Sequence, residues 1–501
     1  METKYKHLLE LLAEIKDLNA ASALLGWDQQ VFMPPQSAQT RAMQLSTLAK
    51  LSHEKFITDE IGGLLSELKG WADTKGYDSD EASLIRVVKR DYDKAKKVPT
   101  ELITEITKTT SIAYEYWVES RKKSDYSIFS PHLEKIISLN IRLADCLGYK
   151  ENRYDALIDQ FEPELKTSQI EKIFTVLKLE LIPIIGKIKE NRDTVSDKML
   201  CGEFDEQKQL QFSNELLKTI GFDFNCGRID KSVHPFTTSF SSKDVRITTR
   251  FDTKFLPTSI FGTIHECGHA LYDMGINPSL ERTPLCEGTS LGIHESQSRL
   301  WENIIGRSYN FWYHFYPKLQ SIFKEQFDNV PMFTFYKGVN KSAPSLIRVE
   351  SDEVTYNMHI FLRFELENLF INEKLKVSDA PAAWNEKMKT YLGITPKTDS
   401  EGILQDIHWS LGSIGYFPTY TIGNIAASQL YDKMKKDMPD IEKDIYSGKF
   451  IEILSWLRKN IHQHGRKFTL NELVTRITGS ELDSTPYLNY IKSKFTQIYK
   501  L

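Results

Sequence analysis

Apolar side chains recur along this chain at helical spacing. Tyr5, Leu8, Leu9, Leu12 and Ile15 line one face of a 3.6-residue repeat. Similar stripes predict helices over about 38–55, 79–95, 99–122, 130–147, 258–274, 288–305, 352–374 and 450–461. Ser168 and Glu171 have capping-box spacing ahead of Ile173, Leu177 and Leu181, which predicts another helix start near Thr167. The pattern changes at 235–240 (ProPheThrThrSerPhe) and 244–251 (AspValArgIleThrThrArgPhe), two β-rich runs separated by SerSerLys that predict a hairpin. No Pro-, Gly- or Ser-rich linker divides the chain, and no repeat of roughly 20 to 50 residues is visible. The expectation is a mainly α fold with a small sheet, forming one unit over 1–501 that can be divided into two lobes.

Composition narrows the function classes. The 64 basic and 68 acidic residues leave a net charge of -4, too little for the phosphate-neutralising field of a nucleic-acid binder. Cys146, Cys201, Cys226, Cys267 and Cys286 are odd in number and lack CxxC spacing, which argues for a reducing compartment and against a thiolate metal site. The first residues lack an apolar signal-peptide region, and the longest apolar runs are too short to span a bilayer. The expected location is cytoplasmic, away from membranes.

The most informative segment is ThrIleHisGluCysGlyHisAlaLeu at 263–271, which contains His-Glu-x-x-His. Four helical residues turn about 400° and rise about 6 Å, so His265 and His269 project from one face and can share a cation. Glu266 lies about 60° from His269 around the helix, placed to address a water as a general base. Cys267 falls on the far side. Gly262 and Gly268 each disfavour a helix by about 1 kcal/mol, and their presence suggests close backbone packing. A third ligand is needed, and the next helix offers His294, Glu295 and Glu302. Glu295 is favoured, 26 residues after His269; its bland alternative is an i+4 pair with Arg299. A two-His, one-Glu set accepts one divalent ion, zinc first, cobalt or manganese otherwise.

Further segments carry a resemblance: HisProPhe (234–236), AspValArgIleThr (244–248), HisGluSerGlnSerArg (294–299), IleArgValGluSerAsp (347–352), GlyIleLeuGlnAspIleHisTrp (402–409), and LeuGlyTrpAspGln (25–29) followed by MetProPro (33–35). Together with HisGluCysGlyHis they make the chain similar, over essentially its whole length, to the thermostable carboxypeptidase 1, or carboxypeptidase Taq, family of zinc metallocarboxypeptidases. The resemblance implies a large helical fold with a deep active-site groove, like neurolysin and angiotensin-converting enzyme, and commonly a homodimer. It also implies Glu295 as the third ligand. Ser351 departs from the family motif, which usually has Ala there.

Peptide hydrolysis also needs donors for an oxyanion. His408 and Tyr420 are the catalytic candidates, with Tyr416 beside them for substrate binding; Gly412, Gly415 and Pro418 predict that this segment is a loop. Arg348 is the candidate for the terminal carboxylate, its alternative being an ion pair with Glu350 or Asp352. Arg246 and His234 are expected at the closed end of the groove. His462 and His464 read as a solvated loop, and His359 as a satisfied core or groove histidine rather than a ligand. The expected activity is release of single residues from peptides with a free C-terminus; an oligoendopeptidase or dipeptidyl carboxypeptidase is the alternative with the same metal site.

Overall fold

The computed structural model describes residues 1–501. Helices dominate, and the sheet has three strands: β1 (Gly227–Lys231), β2 (Thr237–Ser241) and β3 (Asp244–Thr249), in the order β1-β3-β2. β2 and β3 form the expected antiparallel hairpin, with an irregularity between Ser239 and Ser241. β1, which periodicity did not reveal, pairs in parallel with β3 from Gly227–Val245 to Lys231–Thr249. No helix is long and apolar enough to cross a membrane.

Two compact units are present. Unit 1 comprises Met1–Lys96, Asp197–Val339 and Leu430–Glu481; unit 2 comprises Lys97–Ser196, Asn340–Gln429 and Leu482–Leu501. In unit 1 the stripe on the Glu2–Val31 helix buries Leu8, Leu12 and Ile15 against Leu65, Leu68, Leu84 and Val88. Ile276, Leu280 and Leu285 complete that cluster, so it supports the segment that follows the His-Glu-x-x-His helix. That helix, Pro257–Met274, begins with Pro at its first position, where the missing N–H costs nothing.

Unit 2 is built around the Tyr356–Ile371 helix, which is buried on nearly every face. Phe174 packs on Phe361 and Phe364 at 4.5 and 5.1 Å between ring centroids. Glu367 on this helix is fully buried; Oε1 accepts from the Trp409 indole at 2.7 Å, and Oε2 from the Gly415 N–H at 2.8 Å and the Tyr154 hydroxyl. One carboxylate thereby ties down the 409–415 turn.

Several expectations need correction. The helix starting at Thr167 is capped by Lys166 and Gln169 rather than Ser168 and Glu171: the Gln169 side chain accepts from the Lys166 N–H at 3.0 Å. The stretch expected as one helix over 288–305 is an α-helix, Leu291–Arg299, continued by a π-helical turn, Leu300–Ile305. The 408–420 segment, expected as a loop, is turns only up to Phe417, since Pro418 opens a helix, Pro418–Asp437, and Tyr420 lies in its first turn.

Candidate metal centre

In unit 1 the His-Glu-x-x-His helix and the Leu291–Arg299 helix meet at a glycine. A Cβ on Gly268 would lie 2.6 Å from the Gln297 carbonyl oxygen and from Ser298 Cα, so only Gly allows this approach. At Gly262 a Cβ would meet nothing closer than Pro235 Cγ at 3.9 Å; the close packing expected there is absent. The approach at Gly268 brings Glu295 to the histidines. Its Oε2 lies 3.8 Å from His265 Nε2 and 3.5 Å from His269 Nε2. Three ligands about 2.1 Å from a tetrahedral ion stand about 3.4 Å apart, so the donor set matches a divalent cation in type and spacing.

The other atoms of these side chains are tied elsewhere. His265 Nδ1 is 2.9 Å from Glu302 Oε2, and His269 Nδ1 is 2.6 Å from His294 Nδ1, whose own Nε2 is 3.0 Å from Asp273 Oδ1. Arg299 Nε donates to Glu295 Oε1 at 2.6 Å, so the i+4 pair coexists with an inward-facing Oε2. Arg299 and Arg307 also flank Glu302, at 3.2 and 3.5 Å.

Electrostatics divide the histidines. Burial pushes both down, yet Glu295 and Glu302 raise His265 to about 9, while His269 remains lowered. Burial raises the carboxyls, but Arg299 and the histidines hold Glu295 well below the usual carboxylate range and Glu302 at about 2. Cys267 is buried with its thiol pushed up by desolvation, outside the ligand set. Glu266 is buried; its Oε2 accepts from the Thr237 hydroxyl of β2 at 2.7 Å. Glu302 and His294 contact the histidines of the His265, His269 and Glu295 group from outside it, and Asp273 contacts His294, a distinction that spacing along the sequence does not make. The i+4 interval from His269 to Asp273 was the one available hint.

The remaining candidates of unit 1 lie on and beside the sheet. Arg246 on β3 is held by Asp244 through two 2.9 Å bonds, with its guanidinium 4.4 Å from the Trp27 ring centroid. His234 is exposed between β1 and β2. His462 is not in a solvated loop: it is fully buried, with Nε2 3.0 Å from Gln297 Oε1.

In unit 2, Arg348 is buried, and its partner is neither Glu350 nor Asp352. Nε and Nη2 donate to Asp406 Oδ1 at 3.0 and 2.8 Å, and Nη1 donates to the Tyr356 hydroxyl at 2.8 Å. Asp352 instead accepts from Val354 N–H and the Thr355 hydroxyl. Asp406 is shared with the fully buried Arg363, whose Nε lies 2.6 Å from Oδ2. Together the guanidinium groups overcome burial and keep Asp406 ionised far below its usual range. His408 Nε2 is 3.2 Å from the Tyr420 hydroxyl, and burial holds its imidazole neutral, at about 3, with Asp406 opposing. Tyr416 packs 5.4 Å from Tyr420 and 5.3 Å from His408. His359 is fully buried on the Tyr356–Ile371 helix, a core position.

Comparison with known proteins agrees with this chemistry. The family model for carboxypeptidase Taq (M32) metallopeptidases matches residues 7–495. Thermostable carboxypeptidase 1 of Pyrococcus furiosus is 42% identical over 498 residues, with 98% of each chain covered. Carboxypeptidase 1 of Bacillus subtilis is 38% identical over 501 residues, covering 100% of each. Among solved structures, an M32 carboxypeptidase from Deinococcus radiodurans superposes with a TM-score of 0.96 at 35% identity, over 100% of both chains. The chain therefore belongs to the carboxypeptidase Taq family of metallopeptidases and is a metal-dependent carboxypeptidase.

Proposed function

We propose that the chain releases single residues from peptides with a free C-terminus, using one divalent ion, zinc in preference to cobalt or manganese, held by His265, His269 and Glu295. The observation that carries this reading is the division of each imidazole: Nδ1 is hydrogen-bonded outward while Nε2 faces Glu295 Oε2. A cation held by His265, His269 and Glu295 would supply Lewis acidity to the attacking water and to the scissile carbonyl. Glu266 takes the proton of the attacking water and returns it to the leaving amine. Thr237 occupies one Glu266 oxygen, which orients the other as the proton acceptor.

His408 and Tyr420 are the proposed donors to the developing oxyanion, because in the contact between a neutral imidazole and a phenol one of the pair keeps an N–H or O–H to offer there. Arg348 is assigned to the substrate carboxylate through charge: one Asp406 between two guanidinium groups leaves a positive excess, although the Arg348 fork itself is engaged. Tyr416, Arg246 and His234 are assigned to substrate binding. A cytoplasmic homodimer is the proposed working form, for which sedimentation at micromolar concentration should give twice 57.9 kDa.

Glu266→Gln tests the reading directly. It should retain the metal and lose turnover by about a thousandfold or more, since the amide cannot accept the proton. Loss of metal with unchanged turnover per bound ion would make Glu266 a ligand instead.

A further inference from the structure

We propose that Asn357 is a positioning residue for hydrolysis: its buried side-chain amide pins the first turn of the Pro418–Asp437 helix and thereby holds the Tyr420 hydroxyl in place. This rests on the proposed role of Tyr420 as a donor to the oxyanion. Asn357 stands in the first turn of the Tyr356–Ile371 helix and is fully buried. Its Oδ1 accepts from the Thr421 hydroxyl at 2.9 Å and from Asn424 Nδ2 at 3.0 Å, and its Nδ2 donates to the Tyr487 hydroxyl oxygen at 2.6 Å. Thr421 follows Tyr420 directly, and Asn424 lies one turn beyond it.

A backbone carbonyl sets the direction of these bonds. The Glu353 carbonyl can only accept, so the Tyr487 hydroxyl, on the Thr485–Tyr499 helix, gives its proton to that oxygen at 2.8 Å. The Tyr487 oxygen is then an acceptor, which requires Asn357 to present Nδ2 there and leaves Oδ1 for the two donors. Turning the amide over would set its Nδ2 against Asn424 Nδ2 and its Oδ1 against the Tyr487 oxygen, a mismatch that burial makes costly.

Tyr420 needs such a hold. A first helical turn has fewer intrahelical bonds than the turns after it and opens most easily, and Tyr420 is the third residue of its helix. The residue before Asn357 meets Tyr420 from another side. The Tyr356 ring stands edge to face with the Tyr420 ring at 6.0 Å between centroids, and its hydroxyl accepts from Arg348 Nη1 at 2.8 Å. Asp352 accepts from the N–H groups of Val354 and Thr355, which fixes the entry to this helix. Two adjacent residues at one helix start thus brace both Arg348 and Tyr420. Displacing the hydroxyl by about 1 Å is enough to slow the reaction by about 100-fold.

The test is steady-state kinetics of the metal-loaded full-length protein on a free-acid peptide. Tyr420→Phe should lower kcat by about 100-fold. Thr421→Val, which keeps the shape and removes one donor to Asn357, should lower kcat by about tenfold with KM within about twofold, and Thr421→Ser should recover most of that loss. Asn357→Ala should lower kcat further. In the Tyr420→Phe background neither Thr421→Val nor Asn357→Ala should lower kcat again, since both act through that hydroxyl. The two Thr421 variants carry the test alone if Asn357→Ala does not fold. Losses that multiply in the paired variants, or an unchanged kcat in Thr421→Val while Tyr420→Phe is slow, would overturn the positioning role and leave Tyr420 as the donor. Undiminished kcat in Tyr420→Phe would overturn both.

Discussion

Glu266 and Glu295 are chemically identical, and the proposed function gives them different work on the strength of what surrounds them. Glu295 is gripped by Arg299 and held ionised, the state of a ligand. Glu266 receives a hydroxyl, that of Thr237, where Glu295 receives a guanidinium. Thr237→Val should therefore lower kcat by about tenfold, the value of one oriented hydrogen bond of about 1 kcal/mol or somewhat more, with metal content unchanged; Thr237→Ser should restore it. Steady-state kinetics with metal analysis checks both. The same attention to partners changes the expectation for Arg348. Its removal leaves Asp406 short of one of two buried counterions, so Arg348→Ala should destabilise the protein by about 3 to 5 kcal/mol, read as a shifted urea midpoint.

At the scale of elements, glycine positions separate helix propensity from packing. Gly268→Ala should destabilise the protein and displace Glu295, because its Cβ has only backbone to meet at 2.6 Å. Gly262→Ala should be neutral or stabilising by up to about 1 kcal/mol, since its site is open. Thermal unfolding distinguishes them. Glu367 makes a second element-level prediction. Burial raises its carboxyl from 4.5 to about 7 despite the three donors that favour its charge. Between those two values the folded chain holds a proton that the unfolded chain has lost, so stability falls as pH rises from 4.5 to 7, by about 3 kcal/mol, and is flat on either side. Urea midpoints of the unmodified protein relative to Glu367→Gln should trace this decline, and a constant difference across that range would contradict it.

Local patterns explain what could be read in advance. The amphipathic helices, the hairpin and the His-Glu-x-x-His face all depend on residues within a few positions of one another. β1 escaped notice because its parallel partner is 18 residues away and its faces are only half-buried. The Pro418–Asp437 helix was hidden by Gly412, Gly415 and Pro418, which mark turns until the proline is seen to start a helix. The link from Arg348 to Asp406 spans 58 residues and that from His265 to Glu302 spans 37; no periodicity encodes either.

For the whole molecule, family membership establishes a metal-dependent carboxypeptidase, and the proposal adds that a free terminal carboxylate is what the substrate must offer. Replacing that carboxylate by an amide removes its attraction to the positive excess of Arg348 and Arg363 over Asp406, a cost of about 1.4 kcal/mol or more, the equivalent of tenfold in rate. The most direct measurement is mass analysis of the products from matched free-acid and C-terminally amidated peptides, incubated with the metal-loaded protein and again with chelator. The account predicts stepwise loss of single C-terminal residues from the free acids, cleavage of the amides slower by about tenfold or more, and no products once the metal is removed. Internal fragments, with equal rates for acids and amides, would contradict it.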